Sequence, residues 1–174
     1  MFKNAIVKRP GHSLVDGITS TPKLGKPNYE IAIKQHDAYI EALKFCGVEV
    51  TVLQADERFP DSCFLEKYGM TSSIVELSEM FHLKSGLAYL EDNILLVAGE
   101  FINNIEFKKF RKIVVDEDEI YSANCIRVND YVLVPAGYPK IKEKIEKAGF
   151  KTIVVDTSEY RKVNGGLSCL SLRF

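Results

Sequence analysis

Residues 90–99 read LEDNILLVAG, and residues 128–137 read VNDYVLVPAG. Set side by side, Asp92 meets Asp130, Leu95 meets Leu133 and Ala98-Gly99 meets Ala136-Gly137, always at the same offset. Each stretch is a strand, a polar turn and an apolar strand that ends at glycine, which is a hairpin pattern. Around the hairpins lie three β-branched runs: SSIVEL at 72–77, KIVVDE at 112–117 and TIVVDT at 152–157. Each run leads through a polar loop into a strand start rich in small residues, namely KSGLAYL (84–90), SANCIRV (122–128) and NGGLSCL (164–170).

Helical patterns precede two of the β-branched strands, VEVTVL at 48–53 and TIVVDT. NYEIAIKQHDAYIEALKFCG (28–47) carries apolar residues at 31, 33, 39, 40, 43 and 45 and stops at Gly47. PKIKEKIEKAG (139–149) opens with Pro139, sets Ile141, Ile145 and Ala148 on one face, and stops at Gly149. Proline at a helix start and glycine past its end are the expected punctuation. The repeating unit is therefore helix, strand, loop, strand, turn, strand, an α/β fold of ββαβ-like repeats. NAIVKRPG (4–11) matches the last strand of such a unit, displaced to the N-terminus. Its pairing with the C-terminal strand would close the repeats into a ring and hide their edges.

One interval breaks the pattern. VEVTVL (48–53) is followed by a loop and by SCFLE (62–66), read as a strand. A turn, a strand and a helix should come next, yet the chain passes straight into KYGMTSSIVEL. The periodicity therefore predicts one domain, 1–174, whose modules 1–66 and 67–174 join where an internal block has been lost between Glu66 and Lys67. An incomplete ring would leave an apolar strand edge open, so the chain is expected to be weakly stable or a homodimer.

Composition excludes several classes. The 174 residues are 46% hydrophobic and 27% charged, with formal net charge −1, so nothing recommends nucleic acid or an anionic membrane as partner. No apolar run reaches membrane-spanning length, and MFKNAIVKRP reads as a strand rather than a secretory signal. The four cysteines, at 46, 63, 125 and 169, contain no C-x-x-C pair, against a zinc site or a disulfide framework. A reducing cytoplasm is the default. No phosphate loop or other cofactor motif is present.

Taken singly, the chemistry-bearing residues have ordinary readings. Cys169 could be a packed thiol, and so could Cys46, Cys63 and Cys125. His82 could be an interior hydrogen-bonded histidine, Asp61 a turn residue after Pro60, and Glu66 half of a solvated pair with Lys67. His36 reads as a surface residue of its helix, and His12 has no evident role.

Longer stretches change this. KRPGHSLVDGIT, LGKPNYE, VLQADERFPDS, HLKSGLAYLE, SANCIRVN, VPAGYP and VDTSEYRKVNGGLSCLSLRF together span nearly the whole chain. They resemble the bacterial type of the dimethylarginine dimethylaminohydrolase family, in the pentein (amidinotransferase-like) superfamily. The resemblance implies an α/β propeller, here incomplete, with its active site in a central cavity. It implies Cys169 as nucleophile and His82 as general acid and base. It implies Asp61 and Glu66 as the carboxylates that receive the guanidinium, and Ile18 and Val163 as contacts to substrate. The substrate would be a small molecule, dimethyl- or monomethylarginine, yielding citrulline and an amine without metal or cofactor. Arginine-deiminase-like chemistry uses the same groups and stays open, as does an inactive relative serving as an interaction module. Some features depart from the family. Lys67 stands where the family has an aspartate, and Asn164 where many relatives have one. The family's central block, with two arginines for the substrate carboxylate and a glutamate that orients the histidine, has no counterpart.

Overall fold

The computed structural model describes residues 1–65 and 83–174. Nine strands form three small sheets of one design among these residues. In the first, β1 (Asn4–Lys8) lies between β2 (Glu49–Leu53), parallel to it, and β9 (Leu172–Arg173), antiparallel. In the second, β4 (Ile94–Val97) lies between β3 (Leu87–Glu91), antiparallel, and β5 (Arg111–Val114), parallel. The third places β7 (Tyr131–Pro135) between β6 (Ile126–Val128), antiparallel, and β8 (Lys151–Val155), parallel. β1 thus occupies the place that β4 and β7 hold in the other sheets, and the N-terminal strand completes a module begun at the C-terminus.

The hairpins form for the predicted reason. Asp92 and Asn93 have φ of 49° and 61°, and Asn129 has 51°. Asn and Asp tolerate this left-handed backbone better than most side chains, and two such residues in a row turn the chain tightly. The Asn129 amide reaches beyond its own sheet. It accepts from the Phe2 N–H at 2.8 Å and donates to the Phe2 and Cys46 carbonyls at 3.1 and 2.8 Å. In this way one hairpin turn holds the neighbouring module by its backbone.

Between β1 and β2 runs α1 (Tyr29–Phe45), capped by the Asn28 side chain, which accepts from the Ile31 N–H at 3.0 Å. Gly47, with φ of 80°, takes the left-handed turn beyond its end. α1 buries Ala32, Tyr39, Ile40 and Leu43 against Ala5 and Val7 of β1 and against Leu167 and Leu170. The equivalent α3 (Pro139–Lys147) buries Ile141 and Ile145 in a second core with Leu96, Val132 and Val134. Between β4 and β5 the link is two 3-10 turns instead of an α-helix. Two short helices complete the set, α2 (Leu83–Gly86) and α4 (Ser158–Arg161). No helix among the described residues is long and apolar enough to cross a membrane.

Three expectations need correction. Gly165–Leu170 is not a strand, because the backbone there is held by side chains and turns, and β9 keeps only Leu172–Arg173. Ser62–Leu65 is not a strand either: the Ser62 N–H bonds the Phe59 carbonyl and the Phe64 N–H that of Asp61, tight turns that exclude a ladder. His36 is not at the surface but fully buried, with neither ring nitrogen in hydrogen-bond geometry.

Burial pushes the His36 pKa down to about 4, helped by Arg9 and partly offset by Asp37 and the Lys8 backbone. Unfolding returns it toward 6.5. The unfolded chain therefore binds the extra proton between those values. The stability from keeping His36 neutral is complete above about pH 6.5 and is lost as the pH falls toward 4, a change of about 3 kcal/mol. Melting temperature should fall across that window, and His36→Gln should flatten the profile.

Candidate active site

Cys169 is the one half-buried cysteine of four; Cys46, Cys63 and Cys125 are buried. Desolvation pushes the thiols of Cys46, Cys63 and Cys125 up to about 11, 12 and 12, so they stay protonated. The segment that carries Cys169 is fixed from four places in the chain. The Tyr121 hydroxyl donates to the Gly165 carbonyl at 2.9 Å, and the Tyr39 hydroxyl donates to that of Leu167 at 3.1 Å. The Asn124 amide oxygen accepts from the Ser168 N–H at 2.9 Å, and the Leu65 N–H donates to the Cys169 carbonyl at 2.6 Å. Burial raises the pKa of the Tyr121 and Tyr39 hydroxyls, which keeps both as donors. Several backbone groups that a strand ladder would have used are thereby satisfied without one.

The two glycines before Leu167 are required by space rather than by backbone angle. A Cβ on Gly165 would lie 2.5 Å from the Phe64 ring, and one on Gly166 would lie 2.6 Å from the Asn124 amide. Gly165→Ala must therefore displace Phe64 or the Cys169 segment. We expect it to cost about 1–3 kcal/mol, read as a lower melting temperature together with faster alkylation of Cys169.

Asp61 is half-buried, and its Oδ1 is enclosed without a hydrogen-bond partner. The same oxygen lies 2.8 Å, and Val163 Cγ1 3.0 Å, from the place where a Cβ on Gly17 would stand. Asp61, Val163 and the Gly17-Ile18 backbone therefore face one another. Val163 is buried, whereas the Ile18 side chain is 75% exposed. Asn164, at φ of 60°, binds this loop. Its amide oxygen accepts from the Ser20 N–H and hydroxyl at 3.0 and 2.7 Å, and its nitrogen donates to the Ile18 carbonyl at 3.4 Å. Asp61 and Cys169 both raise the Cys63 pKa electrostatically, after the larger effect of burial, so both groups lie near it. His82 and Glu66 lie outside the described residues, as does the Glu66–Lys67 junction.

In sequence comparison, a curated dimethylarginine dimethylaminohydrolase of Pseudomonas aeruginosa is 39% identical to this chain over 255 positions, with both proteins covered in full. The chain belongs to the dimethylarginine dimethylaminohydrolase family. A family model described as N,N dimethylarginine dimethylhydrolase, eukaryotic, matches residues 19–86. Among solved structures, a cysteine-to-serine mutant of the P. aeruginosa enzyme complexed with citrulline superposes with a TM-score of 0.95, at 38% identity and full coverage of both chains. The N-terminal domain of the cyanobacterial arginine dihydrolase ArgZ, bound to product, aligns at a TM-score of 0.80 and 17% identity, over 99% of this chain and 97% of that one. The fold is thus the pentein-type α/β fold. The P. aeruginosa alignment has 255 positions against 174 residues here, and the excess positions face no residue of this chain.

Sequence reading missed the groups that hold the Cys169 segment of this dimethylarginine dimethylaminohydrolase family member. Asn124 precedes Cys125, which drew the attention as a thiol, and Tyr39 and Tyr121 look like core aromatics. The usable signal was the polar residue inside SANC beside a glycine pair elsewhere that lacks its own polar partner.

Proposed function

We propose that this chain hydrolyses Nω,Nω-dimethyl-L-arginine, and monomethylarginine, to citrulline and the corresponding methylamine. The observation that carries the reading is the enclosed, unpartnered Oδ1 of Asp61 beside Val163 and the Ile18 loop. A buried acceptor without a donor is costly, and a guanidinium supplies planar N–H donors that would satisfy it. Family membership and the single partly exposed thiol support the same reading.

In the proposed reaction the Cys169 thiolate attacks the guanidinium carbon, and the carbon becomes tetrahedral. His82 protonates the dimethylamino nitrogen, because an amine anion is too poor a leaving group, and the carbon–nitrogen bond breaks to a thiouronium. His82 then takes a proton from water as the water attacks the same carbon. Cys169 leaves as thiolate, and citrulline remains. Asp61 and Glu66 hold the guanidinium, while Ile18 and Val163 line its approach. Closure of the modules into a ring around this site belongs to the same proposal, and the β1–β9 pairing supports it. Four unpaired thiols suit a reducing compartment such as the cytoplasm.

Incubation of the purified chain with dimethyl-L-arginine, with Cys169→Ser as control, tests the reading through citrulline. A second reading, a catalytically silent family member, is favoured by the alignment positions that this chain leaves unfilled. No citrulline above the control selects it. Citrulline from plain arginine at a higher rate would instead select deiminase chemistry.

A further inference from the structure

Away from Cys169, an open cavity of about 290 Å3 lies beyond the carboxyl ends of the parallel strands β7 and β8. Crevices at that end of parallel strands are where open α/β sheets bind ligands. Its lining includes Tyr121, Tyr138, Thr157, Ser158 and Arg161. The Arg161 guanidinium lies over the Tyr121 ring at 5.0 Å and donates to the Tyr138 hydroxyl at 2.9 Å. The two tyrosine rings are 5.8 Å apart.

Arg161 has no carboxylate partner among the described residues, although ten other cations there do. The nearby acids are engaged elsewhere. Glu119 accepts from the Lys140 and Ile141 N–H groups at 3.1 and 2.7 Å, closing the start of α3. Asp156 accepts from the Ser158 N–H at 2.9 Å. The cavity therefore offers one planar cation, neutral hydroxyls and aromatic faces.

We propose that this cavity binds a small aromatic carboxylate. One guanidinium matches a planar monoanion in two parallel hydrogen bonds. A phosphate dianion would need further donors, and Glu119 already occupies those of the adjacent helix start. The tyrosine rings provide the face for a flat apolar body. Tyr121 also links the cavity to the nucleophile segment, since its hydroxyl holds the Gly165 carbonyl. A carboxylate that draws Arg161 off the Tyr121 ring changes what Tyr121 holds in place, so occupancy alters the accessibility of Cys169.

The test titrates the full chain with benzoate by calorimetry, with inorganic phosphate and dimethyl-L-arginine as comparison arms. Saturable benzoate binding is expected. Arg161→Gln should weaken it about tenfold or more, the worth of charge-assisted hydrogen bonds. Tyr138→Phe, which keeps the ring and the fold, should weaken it less. Saturating benzoate should change the iodoacetamide alkylation rate of Cys169 by on the order of fivefold. Absence of saturable binding, binding indifferent to both variants, displacement by dimethyl-L-arginine, or tighter binding of phosphate overturns the site. An unchanged alkylation rate at saturation overturns the link to Cys169. The proposal and the hydrolase reading fail separately, because neither readout requires citrulline to form.

Discussion

Cys169→Ser should lower citrulline formation from dimethyl-L-arginine by roughly a thousandfold or more, the scale on which loss of a covalent nucleophile is felt. No other thiol can substitute. Cys46, Cys63 and Cys125 are buried and held protonated by desolvation, whereas Cys169 is partly open to solvent. A serine hydroxyl in its place ionises far less readily and attacks a cationic, resonance-stabilised carbon poorly. The substitution should leave the fold alone, because the segment is held through the backbone at Gly165, Leu167, Ser168 and Cys169, and the sulfur's one hydrogen-bond contact among the described residues is the long 3.9 Å approach to the Ser168 hydroxyl. An unchanged melting temperature beside lost turnover is the expected pair of results. Citrulline released at the same rate by the variant would remove Cys169 from the reaction.

Much of this architecture could be read from hydrophobic periodicity. The hairpins at 90–99 and 128–137, both long helices and the pairing of NAIVK with the chain's end all follow from apolar spacing and from glycine or proline punctuation. Such local signals survive into the structure because β1, β3, β4, β6 and β7 each bury at least one face. The errors fell where tertiary partners replace local pattern. GGLSCL looks like a strand because it is apolar, yet Tyr121, Tyr39 and Asn124, far away in sequence, bind its backbone. His36 sits among polar letters, yet its helix turns that residue toward the Lys8-Arg9 end of β1, where burial and the Arg9 charge keep it neutral. At the site, the family resemblance, not the residue types taken singly, pointed to Cys169 and Asp61, and only coordinates reveal that one Asp61 oxygen is enclosed and unpaired.

That oxygen makes Asp61→Asn the most informative remaining substitution. Exchange of a carboxylate for an amide preserves shape and removes the charge that a guanidinium would meet. Hydrogen bonds between ionised partners are about twice as strong as neutral ones, and the amide nitrogen would face the substrate's own donors. The loss should be about 2–4 kcal/mol in transition-state binding, or roughly thirtyfold to a thousandfold in kcat/KM. Stability should move the other way. Without substrate, Oδ1 is buried with no donor, so the folded chain carries a desolvation cost that a neutral amide lessens. The turn at this position does not depend on the side chain, since the Phe64 N–H bonds the Asp61 backbone carbonyl. The expected signature is therefore lower activity with an equal or higher melting temperature, the trade expected of a residue kept for binding. A drop in melting temperature with kcat/KM unchanged would instead make Asp61 a structural turn residue and leave the guanidinium without its receptor.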